Sequence, residues 1–204
     1  MGPHAVPVIE DALSELGVEI RLGIGIASID VGGVTLDDGS RIDATTVVWS
    51  AGMSAGPIAA MVPVAHDNFD RIPVDRNMRV VGLDNVYGAR DIAAAPLDAD
   101  HDTVMSCQHA RPMGRFAGHN VVGDLLGLDM LDMDINYYVT CLDLGPWGAL
   151  YTEGWDRQVS ASGPSAKQTK MTINRERIYP PRNGDRRDIL DAASPHVQMA
   201  PSRQ

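Results

Sequence analysis

Cysteine is nearly missing from this chain. Cys107 and Cys141 stand far apart and outside any C-x-x-C pair. Two reduced thiols are therefore expected, and neither a disulfide framework nor a thiolate metal centre. Long apolar runs are also lacking. No stretch approaches the ~20 residues that span a bilayer. Met1-Gly2-Pro3-His4 has neither the basic region nor the continuous apolar core of a signal peptide. Positive charge is in short supply: Lys and Arg total 17 against 27 Asp and Glu, a net charge of -10. A chain that acidic is not expected to bind nucleic acid, and contact with an anionic membrane face is peripheral at most.

Complete nucleotide-binding turns are absent too. Gly23-Ile24-Gly25 follows a predicted strand, but Ser28 stands where a third glycine belongs and another strand follows, not a helix. There is no G-x-G-x-x-G and no P-loop. No Ser/His/Asp or Cys/His arrangement stands out. Asp98, Asp100, His101 and Asp102 crowd one loop, yet adjacent side chains point in different directions. A solvated loop is the expectation there, not a metal site.

What is present alternates between helix and strand. Pro7–Leu16 repeats apolar residues at helical spacing and stops at Gly17. Val18–Leu22 alternates like a strand. Residues from Ile24 to Ile42 form short strands joined by Gly-Gly and Asp-Gly turns, an antiparallel meander. Thr45–Trp49 is a β-branched apolar run of the kind buried in a parallel sheet. Gly56–Val64 reads as a short helix, and Arg71–Val74 and Met78–Val81 as short strands. Gln108–Leu126 is a helix with Ala110, Met113, Phe116, Ala117, Val121 and Leu125 on its apolar face and Gly127 as its stop. After an acidic linker, Asn136–Leu144 and Trp147–Thr152 form a hairpin. Helices near Pro164 and over Gly184–Ala193 follow, then a tail, Ser194–Gln204, expected to be disordered.

The chemistry gathers at one expected edge. A strand from Asn85 ends at Arg90-Asp91, and Gln108-His109-Ala110 opens the long helix. In an α/β fold such ends form the ligand crevice. An isolated Asp is as often a cap or a surface group. Asp91 gains weight because Ser50-Ala51-Gly52, small residues at another strand end, are expected on the same crevice.

The ordered segments GVEIRLG, GVTLDDGSRI, TTVVWSAGM, NVYGARDIAAA and SCQHARPMG resemble the second half of the FAD-dependent pyridine nucleotide-disulfide oxidoreductases. Within that superfamily they look most like type II NADH dehydrogenases, the NADH:quinone oxidoreductases. The resemblance covers residues 5 to 127. It implies an α/β fold: the C-terminal portion of a two-dinucleotide-domain flavoprotein, with an antiparallel meander and a C-terminal α+β region. Residues 1–52 would end the NAD(P)H domain, 53–127 would return to the FAD domain, and 128–204 would form an interface region.

By the same resemblance, Ser50, Ala51 and Gly52 lie against the cofactors and Asp91 bonds the ribityl or ribose hydroxyls of FAD. Gln108, His109 and Ala110 sit beside the isoalloxazine ring. Arg90 stands where the family carries glycine, placing a charge near the pyrophosphate. The implied reaction is hydride transfer from NAD(P)H to FAD, then electron transfer to a quinone-like acceptor, with no catalytic side-chain nucleophile. Without its fingerprints the chain is expected to be inactive alone and completed by an N-terminal cofactor-binding half or by a second copy. A non-catalytic interaction module is the alternative. The implied location is cytoplasmic, at most peripheral to the inner membrane face.

Overall fold

Residues 139–162 build an antiparallel sheet from β6 (Val139–Asp143), β7 (Ala149–Glu153) and β8 (Gln158–Ser162), in a computed structural model that describes residues 1–200. The other strands are β1 (Ile26–Asp30), β2 (Gly33–Leu36), β3 (Arg41–Asp43), β4 (Ile72–Pro73) and β5 (Ala93–Ala94). The helices are α1 (Val6–Glu15), α2 (Cys107–Leu126), α3 (Gly163–Thr172) and α4 (Arg186–Ala192). The chain is thus a mixture of helix and strand, as the α/β expectation requires.

The central strand β7 is buried on both faces. Alternation along it sends Leu150 to one side and Ala149 and Tyr151 to the other. Leu150 meets Ala5 and Ala12 of the N-terminal helical segment together with Leu144. Ala149 and Tyr151 meet Ala166 of α3. The helix α1 thus covers one face of this sheet and α3 the other, and a small apolar cluster lies on each face. Gly148 lies at φ 130°, and a Cβ there would meet the Gly163 carbonyl oxygen at 2.5 Å. The chain crosses at that point only because residue 148 is glycine. The predicted hairpin is present as β6 and β7; β8 adds a strand whose polar alternation gave no sequence signal.

A second core forms around α2. Met113 and Phe116 pack on Ile72, Val74, Met78 and Val80, beside the short parallel pair β4–β5. The buried Asn120 side chain uses its amide fully: it donates to the Asn77 and Leu131 carbonyls and accepts from the Leu131 amide. That fastens the acidic linker to the helix. Gly127 closes α2 in the left-handed conformation at φ 66°, as its position predicted. The far end of the predicted apolar face is not core, since Leu125 is 80% exposed.

The antiparallel meander is found as β1–β2–β3. Arg41 ties it by pairing with Asp30 and Asp43. Other expectations do not hold. Val18–Leu22 and Thr45–Trp49 form no strand, and Gly56–Val64 contains only a short 3-10 turn, Ala59–Met61. Among the described residues no strand lies beside the first two, so their amides have no ladder to join. The stretch from Asn85 forms no strand ending at Asp91: Arg90–Ile92 is a 3-10 turn, and the strand β5 begins only at Ala93. The tail was also misjudged. Its described part lies along α2, where Gln198 bonds Arg111 and Tyr137; residues 201–204 lie outside the described residues. No described helix is long and apolar enough to cross a membrane.

Candidate functional site

The start of α2 carries the chemistry. Ser106 is the residue before the helix, and its carbonyl accepts from the His109 and Ala110 amides. Its hydroxyl is buried without a hydrogen-bond partner. His109 is fully buried, and the Val104 amide donates to its Nδ1 at 2.8 Å. The neutral ring therefore carries its proton on Nε2, which has no partner. Burial pushes the His109 pKa down to about 4, so the ring is uncharged at neutral pH. Pro112 lies one turn into the helix and has no N–H, which leaves the Gln108 carbonyl without its intrahelical donor.

Ser106 opens on a cavity of about 690 Å³ whose lining includes Ser50, Gly52, Arg71, Tyr138 and Trp155. One wall is a ladder of flat groups. His101 stacks on Trp155 at 4.1 Å, and Trp155 stacks on Tyr138 at 4.2 Å. The Arg157 guanidinium lies 5.6 Å from the Tyr138 ring centre and bonds its hydroxyl at 3.2 Å. Arg71 is buried, pairs with Asp67 at 2.7 Å and donates to the Thr103 carbonyl. The cavity thus combines aromatic faces, fixed cations and two unpartnered polar atoms nearby. Such a lining suits a flat ligand with polar edges.

The predicted residues do not share one crevice: Ser50 and Gly52 line one cavity, Arg90 and Ala110 a second, and Gln108 a small third one beside Val139. Ser50 and Gly52 line the aromatic cavity with Ser106, and Ala51 between them is exposed. Arg90 and Ala110 line a second cavity of about 760 Å³, with Arg111, Gly114 and Arg115. Gln108 turns to the C-terminal sheet: its amide nitrogen donates to the Val139 carbonyl, and its oxygen accepts from the Val139 amide. Asp91 is exposed and lines none of the three. Within α2, Gln108, His109 and Ala110 diverge because successive helical residues point about 100° apart.

Arg90 sits at φ 71°, the left-handed region that glycine adopts without strain. His101, Tyr138 and Trp155 escaped sequence reasoning. They share no spacing and meet only through tertiary packing. Trp155 follows the β7–β8 turn at Gly154, an aromatic beside a turn glycine, which is the sole local hint.

Comparison with known proteins places the chain in context. The family model for pyridine nucleotide-disulphide oxidoreductase matches residues 1–114. A NADH dehydrogenase-like protein of Mycobacterium tuberculosis is 53% identical over 201 residues, covering 98% of this chain and 50% of that protein. A type II NADH:quinone oxidoreductase of the same organism is 36% identical over 90 residues, covering 40% of this chain and 19% of its own length. A NAD-dependent persulfide reductase from A. fulgidus superposes with a TM-score of 0.51 at 14% identity, over 91% of this chain and 46% of its own, a likeness of fold. The chain thus spans about half the length of the first of these relatives.

Proposed function

Because the chain belongs to the pyridine nucleotide-disulphide oxidoreductase family, we propose that it forms one half of a FAD-dependent, NADH dehydrogenase-like oxidoreductase. The observation that carries this is the pair of buried, unpartnered polar atoms at the start of α2, Ser106 Oγ and His109 Nε2. Each has given up water without a replacement, which a bound polar group would offset. Ser106 lines the cavity with aromatic walls, and buried His109 lies 6.1 Å from the Tyr138 ring of that wall; such a pair suits the polar edge of a flavin.

When bound, FAD takes hydride from NAD(P)H and passes electrons to an acceptor. The remaining work falls to the chain. Ser50, Ala51 and Gly52 let a ring approach the backbone closely. Neutral His109 offers a hydrogen-bond donor without adding a charge. Gln108 holds Val139, and so fixes the aromatic wall against α2. Asp91, exposed in the turn Arg90–Ile92, would accept hydrogen bonds from sugar hydroxyls, and Arg90 and Ala110 would border the phosphate end. The His101–Trp155–Tyr138 ladder excludes water and offers a stacking face to a flat acceptor of the quinone class.

In this reading residues 1–52 finish a NAD(P)H domain, 53–127 return to the FAD domain, and 128–204 form the interface region. The sequence contains no G-x-G-x-x-G turn. Pyrophosphate binding at a helix N-terminus then requires a complementary segment, and the chain alone does not turn over.

Co-expression with the fingerprint-bearing N-terminal half of the 53%-identical relative tests this. The expected product is a complex that keeps flavin absorbance after desalting, with Asp91→Ala lowering the flavin retained. A folded chain that stays colourless with that half overturns the reading and leaves a non-catalytic interaction module.

A further inference from the structure

The net charge of -10 conceals a cationic cluster, two members of which, Arg111 and Arg115, also line the second cavity. Arg111 and Arg115 stand one turn apart on α2, and Arg177 ends the wide turn Ile173–Arg177 after α3. All three line a cavity of about 460 Å³ together with His196 and Gln198. None of them forms an ion pair among the described residues, although Glu176 lines the same cavity. Each instead spends a donor on a neutral acceptor of the tail. Arg111 donates to Gln198 Oε1 at 2.8 Å, Arg115 to the His196 carbonyl at 3.3 Å, and Arg177 to the Met199 carbonyl. Like charges at this helical spacing repel, and neutral oxygens compensate them poorly. Burial weakens the protonated form of both Arg111 and Arg115, and their neighbouring guanidiniums add to it.

We propose that Arg111, Arg115 and Arg177 form a phosphate-binding site, roofed by residues 195–199 and separate from the aromatic cavity. A guanidinium offers five donors in a planar fork that matches phosphate oxygens two at a time. Three forks with no carboxylate partner suit a group carrying close to two negative charges and at least three oxygens. Each guanidinium retains further donors beyond the one held by the tail, so phosphate can join the existing contacts. The same chemistry is presented by a soluble phosphate ester and by an anionic lipid headgroup. Tyr179 and Met199, both exposed, stand next to the cluster.

The test uses the full chain at low ionic strength. Inorganic pyrophosphate is titrated calorimetrically. In parallel, the chain is sedimented with vesicles of phosphatidylcholine alone and with added phosphatidylglycerol. Arg111→Gln and Arg177→Gln are each expected to weaken binding about ten-fold or more, the loss of one charge-assisted pair. Arg177→Lys keeps the charge but loses the fork, and should fall between wild type and Arg177→Gln. Arg187→Gln, on exposed α4 outside the cluster, should change nothing. Circular dichroism of each variant confirms the fold.

Pyrophosphate binding with this ranking supports the site and identifies a soluble ligand. Sedimentation with phosphatidylglycerol vesicles alone, with the same ranking, supports it and identifies a headgroup. Binding that ignores Arg111 and Arg177, or no binding to either probe, overturns it.

Discussion

Two stretches of this chain have the same strand-like composition and opposite fates. Ala149–Thr152 lies at the centre of a sheet, with Leu150 and Ala149 fully buried. Thr45–Trp49 is equally rich in β-forming side chains, yet Val48 is 81% exposed and Trp49 60%. The first has β6 and β8 to accept its backbone hydrogen bonds and α1 and α3 to cover its two faces. The second has neither. A strand is a property of a pair of segments, and propensity only selects which segments can join one. The region also exposes the apolar side chains of Met53, Ile58 and Met61.

That contrast can be broken most forcefully at Leu150. Leu150→Ala should cost about 2–5 kcal/mol, read from the midpoint of urea unfolding followed by circular dichroism. Retention of wild-type stability would mean that the three-layer unit is not the stable part of the molecule.

His109 gives the next effect. Its folded pKa of about 4 lies below the ordinary 6.5, so the unfolded chain binds the proton more readily. Stability is full above pH 6.5 and is lost as pH falls toward 4, by roughly 3 kcal/mol in all. His109→Phe should remove that slope from a stability-versus-pH series, and an unchanged slope would assign it to other groups.

Gln108→Ala strips two hydrogen bonds from Val139 and should cost about 1–3 kcal/mol. Faster hydrogen exchange along β6 than along β7 would show the loss where it is expected. Arg90→Gly relieves a left-handed residue, and its gain is about 1 kcal/mol or less. A drop in melting temperature would show that the Arg90 side chain contributes more than its backbone costs.

Val48→Asp closes the series. It should move the stability of the chain alone by no more than about 0.5 kcal/mol while abolishing assembly with a complementary N-terminal half. A large loss in the isolated chain would mean that the region is more ordered than its exposure implies.

The sequence made the local part of the fold legible. The periodicity of α2 and its Gly127 stop, the Asp-Gly turn of the meander and the hairpin of β6 and β7 are all written in short windows. Each depends on contacts between near neighbours. Thr45–Trp49 was misread because its periodicity is sound and its partner is the missing information. The tail was misread for the converse reason: Gln198 and His196 show no apolar period, and their anchors on α2 lie more than 80 residues away in the sequence.

Of the residues that the resemblance places at the cofactors, Ser50 and Gly52 border one cavity and Arg90 and Ala110 another. That division was hidden, because it depends on where remote segments of the chain pack. His101 and Tyr138 have no signature, and Trp155 has only its turn glycine, since stacking needs only that three backbone segments converge.

The packing of α1 against β7 has a consequence for how the molecule is made. Ala12 leaves the ribosome well before its partner Leu150. At the usual rate of synthesis the delay is on the order of ten seconds. Through that interval the face of α1 that packs on β7 lacks this cover. α1 therefore takes its final place only after β7 is made, and chaperones have that interval in which to bind it.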